Sequence, residues 1–190
     1  MGTTEMIEQV KMVLQPKRFE HTLRVAKEAV ILAKRYNVPE DKAEVAAILH
    51  DYAKNFPSAK LKKYIENSAL PQDLLQYNEE LWHGPVASIL LAQEFDIIDE
   101  DIQAAIRYHT TGRANMSDLE RIIYLADYME PGRSFPGLAE VRETAEVDLV
   151  KACWLVSKNT IQFLMNQKVT IHPDSFYAYN DFTKQMMEEK

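Results

Sequence analysis

Four of the five histidines of this chain, together with two aspartates, form short motifs that could bind a metal. These residues are His21, the pair His50-Asp51, His83, His109 and Asp127. Neutral imidazole and carboxylate are together the ligands of catalytic transition metals. The His-Asp pair closes the apolar run 45–49, where an unpaired charge would be costly, so its carboxylate needs a cation nearby. The pattern predicts a metal centre.

The ligand types indicate a catalytic rather than a structural metal. The candidate ligands for one metal are His21, His50, Asp51 and Asp127. Such a shell leaves open positions for water, which is the arrangement of catalytic sites. Thiolates, which are typical of structural zinc, are not available, because the one cysteine, Cys153, lies in an apolar run and is interpreted as a core thiol. An unpaired thiol also fits a reducing cytoplasm.

Three cations accompany the candidate ligands. Arg24 lies three residues after His21, and Lys54 lies three residues after Asp51, which are spacings that share one face of a helix. Arg133 lies in the Pro- and Gly-rich loop that follows the helix of Asp127. Guanidinium binds phosphate with two hydrogen bonds and ammonium binds it as a point charge. The cations therefore predict an anionic, phosphate-containing ligand.

Each of these residues also has an ordinary structural interpretation. A single histidine such as His83 or His109 is more often a core or surface residue than a ligand. A helix cation such as Arg24 usually pairs with a nearby acid, here Glu20 or Glu28. The metal interpretation is favoured because all the motifs occur together, each beside an apolar run.

The elements that must position these residues are predicted to be helices. Between residues 16 and 37, Leu23, Ala26, Val30 and Ala33 recur at spacings of three and four, the stripe of an amphipathic helix. Further helices are predicted over residues 39–53, 58–67, 71–77, 85–95, 100–109, 117–130, 138–166 and 173–189. Alternating patterns typical of strands are nearly absent, apart from residues 168–171. The chain is predicted to be all-α and to form one domain.

The bulk composition restricts the partners and the location. A net charge of −7 argues against a nucleic-acid polymer or an anionic membrane, since either partner requires a basic face. The longest apolar stretch, residues 86–92, is too short to span a bilayer, and the N-terminal residues lack the apolar segment of a signal peptide. We therefore expect a cytoplasmic protein with a small anionic ligand. Residues 138–166 are a candidate homodimer face.

The local sequences around the motifs resemble a known family. They are Phe19–Val25, Ala47–Lys54, Leu81–Pro85, Ile106–Gly112 and Tyr124–Arg133. In this order they resemble the HD-domain metallophosphohydrolase superfamily and, within it, the YqeK-type branch of symmetrical bis(5′-nucleosyl)-tetraphosphatases. The resemblance spans about residues 15 to 175. It implies a single HD domain over residues 1–190, a helical bundle with N- and C-terminal helices.

The resemblance also implies a reaction and the residues for it. An iron ion, or another divalent transition metal, would be held by His21, His50, Asp51 and Asp127, as one metal rather than two. Diadenosine tetraphosphate (Ap4A) would be cleaved symmetrically to two ADP, with Asp51 orienting the water or accepting its proton and His83 or His109 protonating the leaving ADP. The substrate-binding residues would be His21, Arg24, Lys54, His83, His109, Arg133 and, at the nucleoside end, Thr170, Ile171, His172 and Pro173.

Other functions also fit the sequence. An HD phosphohydrolase could act on another nucleotide, as a 5′-nucleotidase or an alarmone hydrolase. An HD-type di-iron oxygenase would use His83 and His109 to bind a second metal. A non-catalytic nucleotide-binding domain would use its metal only to hold helices together. A ferritin-like carboxylate bundle is disfavoured, because Glu80 and His83 form one Glu-x-x-His motif and that design uses two.

Overall fold

The computed structural model describes residues 2–188, and over these residues it contains ten α-helices and no β-strand. The helices are α1 Thr3–Val13, α2 Pro16–Arg35, α3 Glu40–Leu49, α4 Ser58–Glu66, α5 His83–Glu94, α6 Glu100–Arg107, α7 Asp118–Met129, α8 Leu138–Ala145, α9 Leu149–Gln167 and α10 Pro173–Glu188. Two short 3₁₀ turns, Gln72–Gln76 and Glu79–Leu81, connect α4 to α5. The all-α prediction is confirmed.

The helices that carry the candidate ligands pack directly on one another. Helix α2 packs against α3 and α7, helix α3 also packs against α6, and α6 packs against α5. The buried face of α2 consists mainly of small and branched residues such as Val25, Ala29 and Leu32, which allow close approach of its neighbours. This packing brings one end of each helix towards a common point.

Two of the predicted helices end earlier than expected, and both end at a candidate ligand. Helix α3 stops at Leu49 instead of residue 53, and α6 stops at Arg107 instead of residue 109. In each case a histidine just beyond the helix donates its Nδ1 hydrogen to the carbonyl three residues before it: His50 to Ala47 at 2.6 Å and His109 to Ile106 at 2.7 Å. These bonds satisfy carbonyls that a helix end leaves without a partner.

The long helix predicted over residues 138–166 is wrong, because the structure has two helices there. Helix α8 ends at Ala145 and α9 begins at Leu149. The carboxylate of Asp148 accepts a hydrogen bond from the backbone N–H of Lys151 at 2.8 Å, so Asp148 is the N-cap of α9. An aspartate inside an apolar helical pattern was the available signal for this break.

The C-terminal part of the chain differs in smaller ways. Residues 168–171, whose pattern hinted at extended chain, follow α9 without forming a strand, and Lys168 ends α9 with a φ of 56°. Helix α10 matches the prediction over residues 173–188, and residue 189 lies outside the described residues. Within residues 2–188, no helix combines the length and the apolar character needed to cross a membrane.

Candidate metal centre

The structure brings the six predicted motif residues together at one point, which we call the ligand cluster. Its members are His21 on α2, His50 and Asp51 just after α3, His83 at the start of α5, His109 just after α6 and Asp127 on α7. All of them are buried except Asp127, which is partly exposed. Residues that are far apart in sequence therefore meet inside the protein, as a metal site requires.

The first half of the ligand cluster surrounds one oxygen of each aspartate. His21 Nε2 lies 3.0 Å from Asp127 Oδ1 and 3.8 Å from Asp51 Oδ2. His50 Nε2 lies 3.4 Å from Asp51 Oδ2 and 4.0 Å from Asp127 Oδ1. Ligands held about 2.1 Å from one metal lie roughly 3 to 4 Å from each other, so these separations have the size of a metal shell.

The histidine tautomers in this half also fit a metal. His50 donates Nδ1–H to the carbonyl of Ala47, and the Nδ1 of His21 lies 3.1 Å from the carboxylate of Glu130. With Nδ1 engaged in this way, Nε2 is in both rings the nitrogen that can bind a metal, and it points into the cluster. Both are buried, and neither has a hydrogen-bond partner among the described residues. Because buried polar atoms are rarely left unpaired, two such nitrogens facing two carboxylates suit a cation.

The two carboxylate oxygens of Asp51 face different halves of the cluster, Oδ2 the first half and Oδ1 the second. Its other oxygen, Oδ1, lies 3.1 Å from His83 Nε2 and 4.0 Å from His109 Nε2. The two histidine Nε2 atoms are 3.0 Å apart. His50, Asp51 and His109 together also satisfy the distance requirements of a metal-binding group. The carboxylate of Asp51 is therefore shared by two adjacent sets of donors.

The electrostatics keep the aspartates charged and one histidine neutral. Burial alone would raise the pKa of Asp51 and of Asp127, but the neighbouring histidines outweigh it and hold both pKa values low. For His109, burial, reinforced by the nearby His50 and His83, lowers the pKa to about 3. At neutral pH the cluster thus offers two carboxylates and an unprotonated imidazole, which are the protonation states that metal binding needs.

Glu130 is a residue in contact with the ligand cluster that sequence reasoning missed. It is buried, and its carboxylate accepts hydrogen bonds from Arg24 Nε at 2.6 Å and from the backbone N–H of Gly132 at 2.6 Å, besides its contact with His21. Burial raises the pKa of Glu130, yet its bonds to Arg24 and His21 lower that pKa to about 2. This carboxylate fixes the orientation of a ligand histidine. Its place in the string Tyr124–Arg133 was the only signal.

Arg18 is the second residue that was missed. Its Nη1 lies 3.0 Å from Asp51 Oδ2, and its side chain is about one-third exposed. Arg18 precedes His21 by three residues on α2, so it has the same helical spacing as Arg24 and could have been found by the same argument.

The three predicted cations lie around the ligand cluster, each paired with a carboxylate. Together with Arg18 they form what we call the cation group. Arg133 Nη2 lies 2.7 Å from Asp127 Oδ1, while Arg24 is bound to Glu130. The Nζ of Lys54 lies 2.6 Å from Glu80, whose pKa this contact lowers. Of the three predicted cations, only Arg133 touches a candidate ligand directly.

The segment predicted to line the nucleoside end lies to one side of the cluster. Thr170 is exposed, and Ile171, His172 and Pro173 are partly buried. The His172 ring stands edge-on to that of Tyr77, with ring centroids 4.7 Å apart. His172 also lines a cavity of about 60 Å³, whose wall includes the residue after His109.

Comparisons with known proteins agree with this geometry. The HD domain family matches residues 18–132. The chain is 47% identical over 180 residues to a Bacillus subtilis protein named "Bis(5'-nucleosyl)-tetraphosphatase, symmetrical", covering 95% of this chain and 97% of that protein. A Halalkalibacterium halodurans protein of the same name is 43% identical over the full length of both chains.

A solved structure is similar over nearly the whole chain. It is a crystal structure from Clostridium acetobutylicum, described as a "predicted HD superfamily hydrolase involved in NAD metabolism". The TM-score is 0.92 at 38% sequence identity, and the alignment covers 97% of this chain and 98% of the other. The similarity therefore extends beyond the cluster to α1, α9 and α10.

Proposed function

The chain belongs to the HD domain family, and on that premise we propose that it is a metal-dependent hydrolase that cleaves Ap4A symmetrically to two ADP. The observation that supports this most directly is the buried ligand cluster, in which the Nε2 atoms of His21 and His50 face the carboxylates of Asp51 and Asp127. The cation group beside it suits a polyphosphate. The two curated relatives carry the name of this activity.

We propose that His21, His50, Asp51 and Asp127 hold the metal. Two imidazoles and two carboxylates suit iron, the metal we propose, as well as other divalent transition metals. When bound, such an ion supplies a Lewis acid that polarises a phosphoryl oxygen and makes a water acidic enough to react at neutral pH. The chain contributes the orientation of these ligands, through the bonds from His50 to Ala47 and from His21 to Glu130.

The remaining side chains are assigned to the substrate. Asp51, whose pKa is held low, accepts a hydrogen bond from the attacking water and orients it. Attack at one of the two central phosphorus atoms and departure of the bridging oxygen leave two ADP. The cation group, with Arg133 nearest to the cluster, stabilises the negative charge that develops on the phosphoryl oxygens.

We propose His83 as the proton donor to the leaving ADP and His109 as its partner. The Nδ1–H of His109 is engaged by Ile106, and burial keeps His109 neutral, so its Nε2 accepts rather than donates. His83 Nε2 lies 3.0 Å from this acceptor and 3.1 Å from Asp51, so it carries the hydrogen. His83 is therefore the member of the pair that can deliver a proton.

The number of metals depends on whether these two histidines face the phosphates or bind a second metal. We propose one metal per chain, as the sequence predicts, with His83 and His109 facing the phosphates. The shared carboxylate of Asp51 is a specific observation in favour of a second metal between them. Metal analysis of anaerobically purified protein decides the point. One iron per chain, unchanged in His109→Ala, supports the proposal, and two irons that fall to one in that variant contradict it.

The product distribution tests the function itself. Purified protein is incubated with Ap4A in water enriched in oxygen-18, and the nucleotides are separated and weighed by mass spectrometry. We expect ADP as the only nucleotide product. Of the two ADP molecules formed in each turnover, one should carry a single oxygen-18 atom and the other none. AMP together with ATP would contradict symmetrical cleavage, and intact Ap4A would contradict the activity. The cytoplasmic location, the lack of a nucleic-acid partner and the homodimer stay predictions.

A further inference from the structure

Two neighbouring cavities extend from the ligand cluster towards α9. The smaller has a volume of about 150 Å³ and is lined by His109 and Asp127 among others. The larger has a volume of about 720 Å³. Tyr128, Arg133 and Thr160 line both, so the two cavities are adjacent and share a wall. A ligand that reaches the cluster through the smaller cavity can extend into the larger one.

The larger cavity has aromatic walls that a planar base can contact. Phe135 lies in the loop between α7 and α8, and Phe163 lies on α9; their exposed fractions are 36% and 61%. The ring of Tyr128 meets that of Phe135 edge-on, with centroids 5.0 Å apart. Purine bases stack on aromatic rings of this kind, because every base has a planar π face.

Polar groups with unused hydrogen-bonding capacity line the same cavity. Arg133 Nη2 is bound to Asp127 at 2.7 Å, but its Nε has no hydrogen-bond partner within residues 2–188. The same holds for the amide nitrogen of Asn159 on α9. Buried donors without a partner are uncommon in folded proteins. A guanidinium next to the cluster and an amide further out match a phosphate followed by a nucleoside.

We infer that the larger cavity binds one nucleoside of the dinucleoside polyphosphate, with the base against Phe135 and Phe163 and its phosphates leading past Arg133. The inference rests on the proposed function and adds a subsite to it. Its volume lies within the range of about 300 to 1,000 Å³ that small-molecule sites occupy, whereas the cavity beside His172 is far smaller.

The position of the cavity favours a nucleoside over a second copy of the chain. The cavity is concave and shares a wall with the cavity that touches the cluster, through the cation that contacts the candidate ligand Asp127. A protein surface would cover the exposed ring of Phe163 without needing the buried donors deeper in the wall. The occupant that uses both features is an aromatic base attached to phosphate.

The test compares a ligand that has nucleosides with one that has none. Steady-state kinetics with Ap4A give KM, and inorganic tripolyphosphate, used as a competitive inhibitor, gives Ki. The variants are Phe163→Ala and Phe135→Ala, which each remove one aromatic ring from the lining, and Met165→Ala is the matched control. Met165 is as exposed as Phe163 and lies on the same helix, but it does not line the cavity. Light scattering reports the molar mass of each protein.

We expect Phe163→Ala and Phe135→Ala each to raise KM for Ap4A about tenfold, the size of one lost base-stacking contact, and to leave Ki for tripolyphosphate unchanged. Met165→Ala should match the wild type in both values. Unchanged KM in both phenylalanine variants overturns the inference while the hydrolase activity stands. An equal rise in KM and Ki also overturns it. So does a molar mass of the phenylalanine variants that is half the wild-type value, because the rise in KM would then come from loss of a dimer. A wild type that leaves Ap4A intact overturns both proposals.

Discussion

The ligand cluster and the cation group lie next to each other but are held in place differently. Two histidines of the cluster are fixed by backbone carbonyls three residues away, as in the pairs His50–Ala47 and His109–Ile106. Three of the four cations are fixed by carboxylates from distant parts of the chain, for example Arg24 by a residue 106 positions away and Lys54 by one 26 positions away, whereas Arg133 pairs with Asp127, six positions away. Backbone bonds within one turn orient His50 and His109, and long-range ion pairs orient most of the cations. His21, which the distant Glu130 orients, shares the arrangement of the cations.

Because of this difference, the ligand cluster is better prepared to bind a metal than the cation group is to bind a phosphate. The cluster donors already lie within metal-binding distances of one another, so a metal would meet a preorganised shell. The cations are already paired, and a phosphate must compete with Glu130, Glu80 or Asp127 for them. We therefore expect losses in the cluster to be large and losses among the cations to be small.

The largest effect is expected from Asp51→Asn, which removes the charge shared by the two halves of the cluster. An amide cannot replace a carboxylate beside His50 and His83, so kcat/KM for Ap4A should fall by at least about a thousandfold. The bound metal should be lost as well. Both quantities are measured on the purified variant, by product formation and by metal analysis.

The matched control for this substitution is Asp96→Asn. Asp96 is exposed and adopts a φ of 56°, a conformation that asparagine tolerates, so this variant should keep the metal and the activity. If Asp51→Asn kept its metal and more than a tenth of the wild-type activity, the preorganised cluster would not be the catalytic centre.

The contrast also explains how much the sequence could predict. The candidate ligands could be proposed from the sequence because each belongs to a short motif beside an apolar run, and four of them, His50, Asp51, His83 and His109, lie at helix ends. The partner of Arg24 could not be, because Glu130 reaches it only through the packing of α2 on α7. Arg18 had the spacing of a candidate, yet only the fold shows that it contacts Asp51. In the same way, the break before α9 depended on the capping role of Asp148.

Acid should lower the free energy of unfolding, because the charged carboxylate of Glu130 links Arg24 of the cation group to His21 of the ligand cluster. Its pKa in the folded protein is about 2, below its ordinary value of 4.5. Its stabilising effect is therefore complete above pH 4.5 and is lost as the pH falls towards 2. The shift corresponds to about 3 kcal/mol of unfolding free energy. Denaturant unfolding of metal-free wild type and Glu130→Gln should give curves that differ by that order at pH 5.5 and converge near pH 2. A gap that does not depend on pH would contradict this role.

Glu130→Gln should also reduce metal affinity at neutral pH without removing a ligand. The amide no longer attracts the Nδ1–H of His21 as a charge does, so the ligand is less firmly oriented, and such losses typically cost about 10- to 100-fold in affinity. Metal titration gives the affinity, and kcat at saturating metal should stay near the wild-type value. Glu143→Gln, an exposed change on α8, is the control. A fall in kcat with unchanged affinity would instead make Glu130 part of the chemistry.

The smallest effect is expected where a cation must leave a carboxylate to reach the substrate. Lys54 is bound to Glu80, which is largely exposed, and such pairs contribute at most about 1 kcal/mol. Lys54→Gln should therefore raise KM for Ap4A no more than about fivefold. Glu80→Gln should act in the opposite direction and lower KM by a similar factor, because it frees the ammonium group for phosphate. If both substitutions raised KM, Lys54 and Glu80 would act together in binding the substrate, and the idea that carboxylate and phosphate compete for the cation would be wrong.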